Sequence, residues 1–409
     1  MLLAYGNGAV DITLPESIQT DTIMYNIPAS AFLLADEIIK RALRQPVNSA
    51  PLRDIARGKS DAVILISDIS RLCPSYLFLP HLLDELNAGG IADERITVVV
   101  ALGLHRRQTV EELRFLTGAA YDRVNVENHC ALPEQCTYVG STALGTEVAI
   151  NKRVVQGDLR IATGNIEPHR LVGISGGAKA LFPGVASSSS IEQHHSLSHR
   201  FKAFPGDPDN PLHKDLTDVL KFVPIHFLFN VVVTHRREIA AAVAGNLQDA
   251  HRQGTDLARS MFLVPVSKKY DVVIASTGGY PKDMQLYQAV KTLENAASVT
   301  KPGGDIVLIA RCQELFGNGM FQLWVETMGD LEATAERLSK EFVIGAHKIE
   351  HVVKVTKQHN VFLYSDIPDA AARLLGFEPI HNLDEKIAAL CNGKASLAVL
   401  PCGSITYPV

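Results

Sequence analysis

The segment AVILISDISR, residues 62–71, decides the fold class. It opens on five apolar residues with no alternation, rich in branched side chains. That pattern reads as a short strand buried on both faces. It then changes abruptly to Ser67 and Asp68, a polar turn. The same pattern recurs at Ile96–Ala101, Leu159–Ala162, Val231–Thr234, Val272–Ala275 and Asp305–Ala310. Amphipathic stretches lie between these runs, among them Ala31–Leu43, Tyr76–Asn87 and Val110–Leu116. Buried strands alternating with helices predict an α/β protein with largely parallel, doubly wound sheets.

The chain has 409 residues, which at roughly 150 residues per domain predicts two domains. The boundary is expected near residues 255–272, where FLVPVSKKY (262–270) leads into the new strand DVVIAS (271–276). A first domain over 1–265, binding any cofactor, and a second over 272–395 follow, with an active-site cleft between them. Pro302-Gly303-Gly304 reads as a turn before a strand. The apolar tail 396–409, SLAVLPCGSITYPV, can pack back on the first domain.

Composition excludes several classes. The formal net charge is -5 with no basic run, so no electrostatic footprint for a nucleic-acid partner exists. Six scattered cysteines without a CxxC pair argue against a disulfide framework or a cysteine zinc site. The start of the chain has neither a basic leader nor a long apolar run, so no membrane association and a cytoplasmic location are expected.

Chemistry-bearing residues gather at the ends of the strands. Asp68 and Arg71 follow the first, and Arg offers a planar fork of donors to an anion; a helix cap is the plain alternative. LGLHR (102–106) presents His105 after a Gly turn, and imidazole is an acid/base near neutral pH. TGNIEPH (163–169) delivers His169. GISGGAK (173–179) follows, and its Gly176-Gly177 turn permits close backbone approach to an anion beside Lys179. IEQHHSLSH (191–199) carries three histidines; His195 and His199, four apart, share a helix face, but without the Glu of a zinc-protease HExxH motif. GGYPKD (278–283) precedes LYQAVK (286–291), placing Tyr287, Gln288 and Lys291 at a helix start. A dehydrogenase would need a GxGxxG turn after a strand, and none is found. A binder that has kept the cleft without catalysis is the alternative from another class.

Taken together, SDISR, LGLHR, GNIEPH…GISGGAKALFPG, IEQHH and GGYPKD…YQAVK resemble the lactate racemase family over about residues 5–395. His169, Lys179 and His195 are spaced by ten and then sixteen residues, as that family's motif requires; Asn210-Pro211 and Asp215 also fit its pattern. The resemblance implies an isomerase: a 2-hydroxyacid racemase or epimerase carrying a nickel-pincer nucleotide made by dedicated cofactor-synthesis proteins. It implies a thioamide link from Lys179 to the cofactor, His195 as nickel ligand in preference to His194, and Asp68, Arg71 and the Gly176-Gly177 turn at the ribose-phosphate end. His105 and His169 become the two bases that inversion requires on opposite faces, and Tyr287, Gln288, Lys291 and Lys348 contact substrate. Two departures point away from lactate. Ile69 stands where lactate-specific members place an Arg. Gly345-Ala346-His347-Lys348 occupies the region of their pocket Trp, the single Trp324 lying elsewhere. A longer or more polar 2-hydroxyacid is expected.

Overall fold

The structure, a computed structural model, describes residues 1–28 and 34–409. It divides into two compact units: Ile27–Met261, and a terminal unit of Met1–Asn26 with Phe262–Val409.

The 27–261 unit is built on a six-stranded sheet in the order Ile239–Gly245, Phe227–Val233, Leu159–Asn165, Ala62–Ser67, Ile96–Ala101, Asn125–Asn128. All neighbours are parallel except the first pair, which is antiparallel. Ala62, Val63, Ile64, Leu65 and Ile66 are all fully buried, the two-sided burial their sequence foretells. From that strand the chain winds outward through 96–101 and 125–128, then crosses to its other side at 159–165. At such a reversal, open sheets of this kind take ligands beyond the carboxyl ends of the central strands. The expected helices form as Ala35–Arg44, Ser75–Ala88 and Val110–Thr117; residues 31–33 of the first stretch lie outside the described residues. Thr109 and Glu112 cap the third reciprocally, which fixes where the chain leaves the 96–101 loop.

The terminal unit holds an all-parallel six-stranded sheet: Glu378–Pro379, Asn360–Tyr364, Thr300–Ile309, Tyr270–Ser276, Ser396–Leu400, Gln19–Thr22. Alternate residues serve opposite faces. Val273, Ala275, Ile306 and Leu308 pack with Leu286, Val290 and Leu293 on one side. Val272, Ile274, Val307 and Ile309 pack with Leu3, Ile12 and Ile387 on the other.

Three sequence expectations differ from this arrangement. Residues 1–26 belong to the terminal unit, since Gln19–Thr22 pairs with Ser396–Leu400. The tail is an inner strand of that same unit, bonded on its other edge to Tyr270–Ser276; Leu397, Ala398, Val399 and Leu400 are fully buried, which an apolar run achieves only between two strands. Pro302-Gly303-Gly304 lies inside the Thr300–Ile309 strand, where the register moves from Tyr270↔Thr300 to Val272↔Asp305. The extra residues bulge out there, with Gly303 at φ 73°. Among the described residues the cysteines are all free thiols, and no helix is long and apolar enough to cross a membrane.

A tail that is structural has a measurable consequence. Leu397→Ala should destabilise the protein by about 2–5 kcal/mol, the usual cost of emptying a buried leucine site, seen as a lower urea midpoint. A cost near zero would mean that the tail is only draped on the surface.

Candidate active site

Three loops leave three adjacent strands, 159–165, 62–67 and 96–101, and carry most of the sequence-predicted groups. Asp68 is the innermost, 3% exposed. Its Oδ1 accepts the backbone N–H of Ser70 at 2.8 Å and the Ser70 hydroxyl. Its Oδ2 faces His105 Nδ1 at 3.2 Å and Arg71 Nε at 3.5 Å. Burial alone would raise the carboxyl's pKa. The His105 and Arg71 charges, with hydrogen bonds from His105 and Ser70, outweigh it and hold Asp68 well below the usual carboxylate range. Both oxygens are engaged by protein groups, so the carboxylate orients His105 and balances Arg71. With His105 Nδ1–H donating to Asp68, the ring in its neutral form has its lone pair on Nε2.

The turn that carries His105 is fixed at both ends. Gly103, at φ 54°, donates its N–H to the Gly184 carbonyl at 2.9 Å, and His105 N–H closes on Leu102 O at 2.9 Å. The first contact joins this loop to the one bearing Lys179. His169 sits in a two-residue hairpin, Pro168–His169 against Gly173–Ile174. Its Nδ1 accepts the N–H groups of Leu171 and Val172, both at 3.3 Å. An acceptor at Nδ1 puts the ring's proton on Nε2, the opposite of His105.

Gly176 and Gly177 are required for packing. A Cβ on Gly176 would stand 2.6 Å from Asn230 Oδ1, and one on Gly177 2.9 Å from the His251 ring; both have positive φ. Gly177 N–H donates to Asn230 Oδ1 at 2.8 Å, so that amide is spent on the protein. The turn thus shapes the Lys179 loop from within, and the expectation that Gly177 offers its amide to an anion is corrected.

His195 lies on the helix Ser188–Ser196. Its Nδ1 donates to the Ile191 carbonyl at 2.9 Å, leaving the lone pair on Nε2. Burial first, then the charges of His194, Lys179 and His105, push its pKa down to about 3. A neutral imidazole with a fixed tautomer is the form that ligates metal. The helix ends at Ser196 and a tighter turn follows, on which His199 is exposed. Among the described residues no group of three or more His, Cys, Asp or Glu side chains converges as a metal site.

The remaining predicted residues lie in the terminal unit and gather there. Leu286–Val299 is a helix, with Tyr287 and Lys291 one turn apart and Gln288 buried. Lys348 Nζ stands 5.6 Å from the Tyr287 ring centre. The His347 ring lies edge-on to Tyr287 at 6.3 Å and stacks on Phe342 at 5.2 Å.

Several pairings escaped the sequence reading. His213 and His251 stack at 5.5 Å behind the Gly176-Gly177 turn, and His251 Nε2 reaches Ser175 O at 2.8 Å. His194 is buried with Nδ1 3.0 Å from Asp215 Oδ2. No local spacing announces these partners, which come from distant helices.

Residues 5–204 match the lactate racemase N-terminal domain and residues 266–405 the lactate racemase C-terminal domain. The lactate racemase of Thermoanaerobacterium thermosaccharolyticum is 29% identical, with 98% of this chain and 97% of that protein covered. That of Lactiplantibacillus plantarum is 31% identical, covering 91% and 90%. In three dimensions the chain is similar to the lactate racemase apoprotein of T. thermosaccharolyticum, with a TM-score of 0.87, 28% identity, and 100% and 99% of the two chains covered. A Thermotoga maritima protein shares the fold at a TM-score of 0.69 and 18% identity, covering 91% and 98%.

The buried histidines make stability depend on pH. Burial, then His251, depresses His213 to about 4, against about 6.5 in an unfolded chain. Between these values the unfolded chain takes up a proton that the native state refuses, so stability is full above pH 6.5 and falls as pH drops towards 4. The urea midpoint should decline across that window, and His213→Gln should flatten the decline by one proton's share. An unchanged slope would exclude His213 as a source.

Proposed function

The chain belongs to the lactate racemase family, and from that premise we propose that it inverts C2 of a 2-hydroxyacid with a nickel-pincer nucleotide held by Lys179 and His195. The observation that carries this reading is His195. It is a neutral imidazole whose Nδ1 is committed to Ile191 O, with the Lys179 charge acting on it; among the described residues it belongs to no cluster of three or more His, Cys, Asp or Glu side chains. Imidazole suits nickel, the Lys179 amine suits a covalent link, and the positive Arg71 suits a phosphorylated ligand.

When bound, the nucleotide would supply reversible hydride-acceptor chemistry at C2. The chain's own residues handle the protons and the orientation. His105, its Nδ1–H held by Asp68, takes the substrate hydroxyl proton at Nε2. His169 serves the opposite face. Both its base and acid forms need a proton on Nδ1, so the long contacts from Leu171 and Val172 must yield when the ring works. Arg71 pairs with an anion, and Tyr287, Gln288 and Lys291 orient the substrate carboxylate, retaining the oxo acid while it turns.

We further propose a substrate longer or more polar than lactate. Ile69 is buried and supplies no charge. His347 and Lys348 surround Tyr287, so the extra atoms meet polar, cationic groups.

Protein made together with the cofactor-synthesis enzymes should contain one nickel per chain by elemental analysis and an intact-mass increase located on Lys179. Neither being present, under conditions that load a lactate racemase, would refute the cofactor. In a panel of 2-hydroxyacids followed by chiral chromatography, acids with longer or polar side chains should racemise faster than lactate. His105→Gln and His169→Gln should each abolish racemisation while nickel stays bound; retained activity in both overturns the two-base assignment. Asp68→Asn, which removes the charge that sets the His105 tautomer, should slow turnover ~100-fold or more.

A further inference from the structure

The buried pair behind the metal ligand has no part in the chemistry above. His194 is completely buried, and its Nδ1 lies 3.0 Å from Asp215 Oδ2. Asp215, on the helix Pro211–Asp218, also accepts the Thr142 hydroxyl and, at 2.7 Å, the Thr146 hydroxyl. Thr142 Oγ1 in turn accepts Thr146 N–H at 3.1 Å, which closes the 142–146 turn around the carboxylate. The His194 ring meets Phe182 edge-on at 5.2 Å on one side and His195 at 5.6 Å on the other. Phe182 is fully buried at the end of the Lys179 loop, its N–H on Ala178 O at 2.9 Å. His194 therefore touches the helix of the metal ligand, the loop of the lysine, and the helix that carries Asp215.

One detail speaks against plain packing. His194 Nε2 is buried with no hydrogen-bond partner among the described residues. A Phe or Leu would fill the same space without stranding a polar atom. What an apolar side chain lacks is the Nδ1–H that ties the ring to Asp215. That tie fixes the ring plane, and the ring plane sets the wall against which His195 rests. His195 is anchored at its other edge by Ile191 O. Two contacts at different edges leave its Nε2 one direction.

We propose that His194, clamped by Asp215 between the rings of Phe182 and His195, is a positioning residue that holds His195 in the orientation presenting Nε2 to nickel. The proposal rests on the nickel reading above. It assigns the adjacent histidines separate tasks: His195 binds, and His194 aims.

The test compares nickel-loaded wild type with Asp215→Asn, His194→Gln and His194→Asn. Nickel release to an excess chelator is followed at a temperature well below each variant's unfolding midpoint, together with the absorption bands of the bound metal. Asp215→Asn and His194→Gln are expected to release nickel at least 10-fold faster with shifted bands. His194→Asn, whose amide nitrogen takes the place of Nδ1, should restore part of the retention. Folded variants that lose nickel at the wild-type rate with unshifted bands would overturn the proposal, even if their unfolding midpoints fall. Should the His194 and Asp215 variants not fold, Thr142→Val loosens the carboxylate and leaves both rings; faster release supports the clamp and unchanged release overturns it. Wild type that binds no nickel instead refutes the cofactor assignment itself, a different result from wild type and variants binding equally.

Discussion

A carboxylate buried at the end of the 62–67 strand sets the terms for the loops around it. Asp68 is almost without solvent, and a lone buried carboxylate would take a proton. It stays charged because His105, Arg71 and Ser70 all face it. The dependence is mutual. Charged Asp68 holds the Nδ1 proton of His105 and so frees Nε2, and it draws Arg71 back towards the strand end. Protonation would release both at once. The parallel sheet makes this possible: adjacent strands running the same way deliver Asp68 and His105 to the same edge, although 37 residues separate them.

How legible this was depended on the range of the interaction. Strands buried on both faces declare themselves in a few residues, as AVILI and ITVVVA do, and each ends where the apolar run ends. His105 and His169 stand directly after such ends, so their placement followed from the fold class. The family's spacing carried Lys179 and His195. What stayed hidden was set by distant chain. Nothing near His194 names Asp215, and Gly176-Gly177 looked like an anion cradle until Asn230 and His251 were seen to fill the space behind it. The tail looked like a loose apolar end because a strand's neighbours are not written in its own residues; its place beside Tyr270–Ser276 depends on the whole sheet.

The histidines show how one residue type is put to different uses. His213 and His251 stack in the interior and brace the Gly176-Gly177 turn. His129 reaches the Ala186 carbonyl at 2.9 Å and secures the chain just before the Ser188–Ser196 helix. Burial depresses the pKa of all three, so they remain neutral and act as hydrogen-bonding aromatics. Each has its own backbone partner, Ala186, Val172 or Ser175, and none joins a cluster of three or more metal-ligating side chains among the described residues.

In the proposed mechanism the two rings that act as bases are not equivalent, and that has a kinetic meaning. His105 rests with its proton on Nδ1 against a buried carboxylate, ready to accept at Nε2. His169 rests with Nδ1 as an acceptor of backbone N–H groups and must leave that arrangement to act. For a substrate with one stereocentre the two enantiomers have equal free energy, so their equilibrium constant is one. The ratio kcat/KM must then be the same in both directions, whatever the enzyme does. Inequality between the rings cannot bias the product mixture. It can only divide differently between kcat and KM, with the enantiomer that uses His169 as its base carrying the cost of freeing that ring. Two unlike bases are therefore compatible with a racemase, and the asymmetry belongs in the separate constants for each enantiomer.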